Sequence, residues 1–297
     1  MTLTITLALL AAVCFGVASV LQHNGALQAR QRTPFHPGLM VELAHKRGWV
    51  LGVVAQAAGV TLHLVAVNLG ALSVVQPVLT IGLVVALGLQ RLAGRQVSRP
   101  AMLAAGQVVL GLAVFLAVMP PEQAAIPVDA EGWFPGLLLA GVLLAATLAG
   151  GLALHGTARC VCLGAGAGVL MATSAALGKA WGEVLNTQGL VGLTSSWQFW
   201  AALGCGAAGT LLSQTAFQAG PLGGSLAAMM AIDPVVGVGL GVVVFGEPFA
   251  SGDTTPIRII GLTITLVGVW LLAMAQRGTA DGPPNPGRPA VPVSRTG

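Results

Sequence analysis

The sequence predicts an all-α, polytopic membrane protein, and three observations carry that prediction. Only 7% of the 297 residues are charged and 55% are hydrophobic, whereas soluble domains carry roughly 25% charged residues. Nine apolar runs reach the length, about 20 residues, that a helix needs to cross ~30 Å of hydrocarbon. The basic residues fall mostly in alternate gaps between those runs, as membrane orientation distributes them. A water-soluble globule is excluded. The net charge of +4 belongs to that topology, so no nucleic-acid partner is expected.

The runs cover roughly 2–22, 48–69, 72–91, 101–119, 134–155, 160–182, 197–218, 222–246 and 257–276. The first has no basic residue before Arg30, so it reads as a retained span and not as a cleaved leader. The stretch 48–91 is divided at Asn68-Leu69-Gly70, and 197–246 at Gly220-Pro221, where turn formers interrupt the apolar pattern. The sixth run contains GAGAG (164–168). No strand precedes it, so it is not a nucleotide fingerprint. Gly164/Gly168, Gly178/Gly182 and Gly237/Gly241 are small-residue pairs of the kind that let helix backbones approach closely. From Arg277 onward a Pro/Gly-rich segment has too little apolar surface to fold and is expected to be a disordered cytoplasmic tail, 277–297.

Charge tests the count. With the N-terminus outside, nine crossings place Arg30, Arg32, Lys46, Arg47, Arg91, Arg95, Arg99, Arg159, Arg277, Arg288 and Arg295 in the cytoplasm, eleven of the thirteen basic residues. Lys179 and Arg258 fall outside, with Glu122, Asp129, Glu131, Glu183, Glu247 and Asp253. Trp133, Trp181, Trp197 and Trp200 stand at outer ends, where interfacial anchors belong. The expected location is a bacterial plasma membrane. Cys14, Cys160, Cys162 and Cys205 lack metal-ligand or disulfide-framework spacing and read as small buried hydrophobes.

The two halves repeat. HLVAVNLGALS (63–73) lies over SQTAFQAGPLG (213–223), with His63 over Ser213, Asn68 over Gln218 and Gly70 over Gly220. Each copy continues into a span with an interior polar-Pro step, Gln76-Pro77 or Asp233-Pro234, where Pro77 and Pro234 are expected to break the helix. Each closes on a glycine-punctuated span, Gly106/Gly111 or Gly261/Gly268. The organisation is then a first repeat (1–119), an outer loop with a linking helix (120–159) and a second repeat (160–276). One intervening crossing inverts the second copy, a plan that recurs among secondary transporters.

GPLGGSLAAMMAIDPVVGVGLGVVVFGE (220–247) followed by RIIGLTITLVGVWLLA (258–273) resembles the final helices of the drug/metabolite transporter superfamily, in its EamA-like repeats. GALSVVQPVLTIGLVVALGLQRLAGRQVSR (70–99) is similar to the matching part of the other repeat. The GALSV string and the four-plus-one-plus-four plan also resemble the NIPA-type magnesium transporters of that superfamily. The resemblance implies an alternating-access transporter. Gln90-Arg91 stand where the first repeat would end in a carboxylate, and each half lacks one helix of the ten-helix plan.

Asp233 is the leading site candidate, because a mid-span carboxylate is unfavourable by at least ~2.5 kcal/mol and persists where water, cargo or other helices satisfy it. A protonatable or cation-binding group and a purely structural hydrogen-bonded acid both remain open. His63 and Gln56, two turns apart on one helix face, read as cavity lining or as interhelical bonding. Thr210, Ser213, Gln214, Phe217 and Gln218 form one face of the seventh span, to line a cavity or join helices. Lys179 either pairs with Asp233 or cargo, or extends to the outer surface. Gln76 beside Pro77 either exposes a carbonyl to the pathway or marks a kink. Glu247 is an interfacial charge or recruits cations. Loop 23–47, with His23, His36 and His45 among its basic residues, is amphipathic enough to meet anionic headgroups.

No enzymatic motif is present, so neither catalytic residues nor a cofactor is expected. The leading expectation is a secondary transporter for a small polar or amphipathic solute, exchanging a proton at Asp233. A magnesium or divalent-cation permease and a non-transporting membrane scaffold are the alternatives. The lipid bilayer and a small-molecule or ion substrate are the expected partners; monomer and homodimer stay open.

Overall fold

The computed structural model describes residues 2–30, 36, 38–69, 72–118, 130–246 and 254–280. Every regular element among them is a helix: α1 (Thr2–Leu27), α2 (Gly38–Ala44), α3 (Arg47–Leu69), α4 (Leu72–Leu79), α5 (Gly82–Leu92), α6 (Arg99–Ala117), α7 (Ala130–Ala153), α8 (Gly156–Ser195), α9 (Trp197–Ala219), α10 (Leu222–Phe245) and α11 (Thr255–Ala280). Six stretches are long and apolar enough to cross a membrane: Thr2–Leu27, Arg99–Ala117, Gly132–Ala153, Gly156–Gly182, Leu222–Phe245 and Thr255–Gln276. The fold is that of a multi-pass helical membrane protein. Of the other three expected spans, two are the 23-residue helices α3 and α9, and the third is divided between α4 and α5.

The division at Gly220-Pro221 falls between α9 and α10 as the turn residues indicated; at the other, Asn68 and Leu69 still belong to α3, which ends at Leu69, and Gly70 lies outside the described residues. The prolines behave differently from expectation. Pro234 lies inside α10, which continues without interruption. Membrane helices accept proline where neighbouring helices hold the backbone, and α8 lies directly against this turn. Pro77 lies inside α4, and the break follows it at Thr80-Ile81. There Thr80 N and Oγ1 both bond to Pro77 O (3.3 and 2.6 Å), and Ile81 N bonds to Val78 O at 3.1 Å. Pro77 withholds the amide that residue 73 would accept from, and the next turn tightens into i→i+3 bonds.

Other boundaries moved outward. α8 runs on past 182 to Ser195 through a kink at Gly189, whose φ of 68° suits glycine. The basic loop holds α2, whose Leu39 and Leu43 pack with Ala29 and Trp49. Trp133, expected at the interface, is fully buried, with Trp197 and Phe245 edge-on to it at 5.7 and 5.6 Å. Three helix ends meet there, so the indole fills an interior gap.

Glycine sets the tightest contacts. A Cβ at Gly111 would stand 2.5 Å from Thr265 N, and one at Gly261 2.6 Å from Phe115 N, so α6 and α11 pack backbone to backbone. Of the three small-residue pairs, Gly164/Gly168 forms such a seam: Gly164 meets the Ser225 carbonyl, and a Cβ at Gly168 would lie 2.8 Å from Met229 O. Gly182 and Gly237 face open space. α10 is the hub, touching α1, α5, α6, α7, α8, α9 and α11.

Several expectations lie outside the described residues: the tail beyond 280, Gly70, Arg32, Glu122, Asp129, Glu247 and Asp253, and the side chains of Asn68, Gln76, Glu131, Glu183 and Arg277.

Candidate functional site

Asp233 stands at the middle of α10, eleven residues from Leu222 and twelve from Phe245. The apolar character of the run on both sides fixes this depth. Its backbone is pinned by α8, where a Cβ at Gly168 would lie 3.2 Å from Asp233 N. The residue is half-buried. Among the described residues its carboxyl has no hydrogen-bond or ion-pair partner. A carboxylate so placed is costly unless water or a ligand reaches it.

Lys179 is not that partner. Its Nζ lies 5.3 Å from the ring centroid of Phe245, and Phe245 is about 18 Å beyond Asp233 along α10 at 1.5 Å per residue. Pairing between Lys179 and Asp233 is thereby overturned; the long stem follows α8 toward the aromatic end of the bundle.

The polar face of α9 turns inward. Gln214 is fully buried; its Oε1 accepts from Trp49 Nε1 at 3.0 Å, and its Nε2 donates to Gln22 Oε1 at 2.9 Å. Ser213 donates to Thr210 O at 2.7 Å. One turn on, Gln218 Nε2 donates to Ala26 O (3.0 Å) and Arg30 O (3.1 Å). These bonds tie α9 to α1 and to the start of α3. Of the two readings of this face, the geometry favours joining helices, since the Gln214 amide is engaged at both its atoms.

The remaining candidates stand apart from Asp233. His63 is half-buried in α3, with Nδ1 enclosed and without a hydrogen-bond partner among the described residues. Gln56 is on the exposed face of α3. Gln76 has its backbone in α4, while its side chain lies outside the described set. Among the described residues no hydrogen bond joins His63 or Gln56 to Asp233.

Gln22 and Trp49 carry polar contacts that no sequence pattern singled out. His23, placed in a loop by sequence, lies in α1, buried, 5.9 Å from the Phe217 ring and edge-on to it. Gln22 at the end of an apolar run was the available signal; its partner 192 positions away was not.

No family model matches the chain, and no solved structure matches it. An uncharacterized protein of Corynebacterium glutamicum is 28% identical over 285 residues, covering 93% of this chain and 96% of that protein. The similarity therefore runs through both halves.

Proposed function

We propose that the chain is a secondary transporter of the drug/metabolite type, moving a small polar or amphipathic solute across a bacterial plasma membrane by alternating access. The observation that carries this reading is the carboxyl of Asp233, without a partner among the described residues, at mid-length of the central helix. In it, Asp233 is the group that exchanges a proton against cargo.

The packing supports two related halves. The first two long helices of each half lie together, α1 on α3 and α8 on α9; the first also packs on the third, α1 on α5 and α8 on α10; and the fourth helices, α6 and α11, pack on each other. Nine crossings with the N-terminus outside would make these halves inverted. The interrupted helix α4–α5 and the proline-bearing α10 are then equivalent elements near the interface, as such transporters employ them.

The test uses proteoliposomes containing a pH-sensitive dye, challenged with outward gradients of amines, amino acids and nucleosides. The parent protein should give cargo-dependent proton movement that Asp233→Asn abolishes. Undiminished coupling in Asp233→Asn would refute the assigned role.

A further inference from the structure

Where α1 ends and α3 begins, a cavity of about 460 Å³ opens, lined by Leu21, Asn24, Gln28, Lys46, Arg47 and Trp49 among others. A volume of this order accommodates one small organic ligand or headgroup. The site described around Asp233 makes no use of it, and the inference drawn from it is independent of the transport reading.

We propose that this cavity binds a phosphate-bearing anion. Lys46 and Arg47 supply two positive charges, and a third stands alongside, because Arg95 Nη2 donates to Asn24 Oδ1 at 2.7 Å. That bond occupies the Asn24 oxygen and leaves its amide N–H groups as donors. Gln28 adds a further amide. The acid of this segment, Glu42, is engaged elsewhere, its Oε1 accepting from Arg30 N at 3.1 Å. Cationic and amide side chains lining the cavity from two segments, with Arg95 bonded to one of them, suit a group with several anionic oxygens.

Part of the lining is apolar. Trp49 commits its indole N–H to Gln214, so it offers the cavity ring carbons beside Leu21. The ligand is thus an anionic phosphate carried on a less polar body. A phospholipid headgroup and a soluble phosphate ester share that chemistry.

The experiment is thermal unfolding of the purified full chain in a neutral detergent. One arm titrates inorganic phosphate and glycerol 3-phosphate; the other adds phosphatidylglycerol against phosphatidylcholine. A ligand that favours the folded form raises the melting temperature saturably. A rise with phosphatidylglycerol alone assigns a lipid headgroup, and a rise with the soluble phosphates assigns a free anion. In either case Lys46→Gln with Arg47→Gln should raise the half-saturating concentration by about tenfold, as the loss of two partly exposed ionic contacts implies. Arg99→Gln, outside the cavity, should leave it unchanged, and Lys46→Arg with Arg47→Lys should restore the response. No saturable rise with any of these compounds, or one equal in the parent and the doubly neutralised variant, overturns the proposal.

Discussion

The indole N–H of Trp49 donates to the side-chain oxygen of Gln214 across 3.0 Å, joining the start of α3 to α9. Gln22 completes the clasp from α1. Partners this far apart in sequence are brought together by packing alone, and removing either leaves the other's polar atom enclosed. Trp49→Phe and Gln214→Leu should each destabilise the fold by about 1–2 kcal/mol. A double-mutant cycle should return a coupling of about 1 kcal/mol, the scale of interhelical bonds in membranes. Denaturant titration of the four proteins measures it, and strictly additive losses would show that the contact contributes nothing.

Glycine substitutions should separate sharply by position. At Gly261 and Gly111 an added methyl meets backbone atoms of the facing helix at 2.6 and 2.5 Å, and backbone cannot rotate away. Gly261→Ala should therefore cost about 1–3 kcal/mol, the usual range for overpacking. Gly106→Ala and Gly88→Ala meet nothing within 4 Å and should be neutral or stabilising by up to about 1 kcal/mol, since alanine is the better helix former. Unfolding midpoints across these variants check the contrast; a Gly261→Ala protein as stable as its parent would contradict the backbone seam between α6 and α11.

These glycines also show what was legible beforehand. Length and hydropathy outlined the long helices, and the turn at Gly220-Pro221 was read correctly, because both signals are local. Gly164/Gly168 and Gly178/Gly182 look alike in sequence, yet the first alone is a seam, since which face meets a partner is decided by tertiary packing. Proline misled for a similar reason: Pro234 sits where α8 packs against an α10 that runs on uninterrupted, and the break near Pro77 comes a turn later. Trp133 read as an interfacial anchor because aromatic residues at helix ends usually are, but three helix ends close over it. The depth of Asp233 was legible from flanking apolar residues; its separation from Lys179 was not, because nothing in the sequence shows where one helix lies along another.

Stability and activity should oppose each other at Asp233. A polar acid retained mid-helix without a partner among the described residues is unfavourable for folding. Asp233→Leu should raise unfolding free energy by about 1–3 kcal/mol while abolishing cargo-coupled proton movement, a trade-off expected where a residue is kept for function. Unfolding and flux measured on one preparation test both. A variant that is less stable than its parent would mean that the carboxyl is a structural element.

Access to position 233 from both sides of the membrane tests the central claim most directly. A single cysteine replaces Asp233 in protein whose Cys14, Cys160, Cys162 and Cys205 are alanine, and a membrane-impermeant maleimide is applied from either face of oriented vesicles. Alternating access predicts labelling from each face, with cargo shifting the ratio between them. Complete protection from both faces, in protein that unfolds like its parent, would contradict a pathway at Asp233.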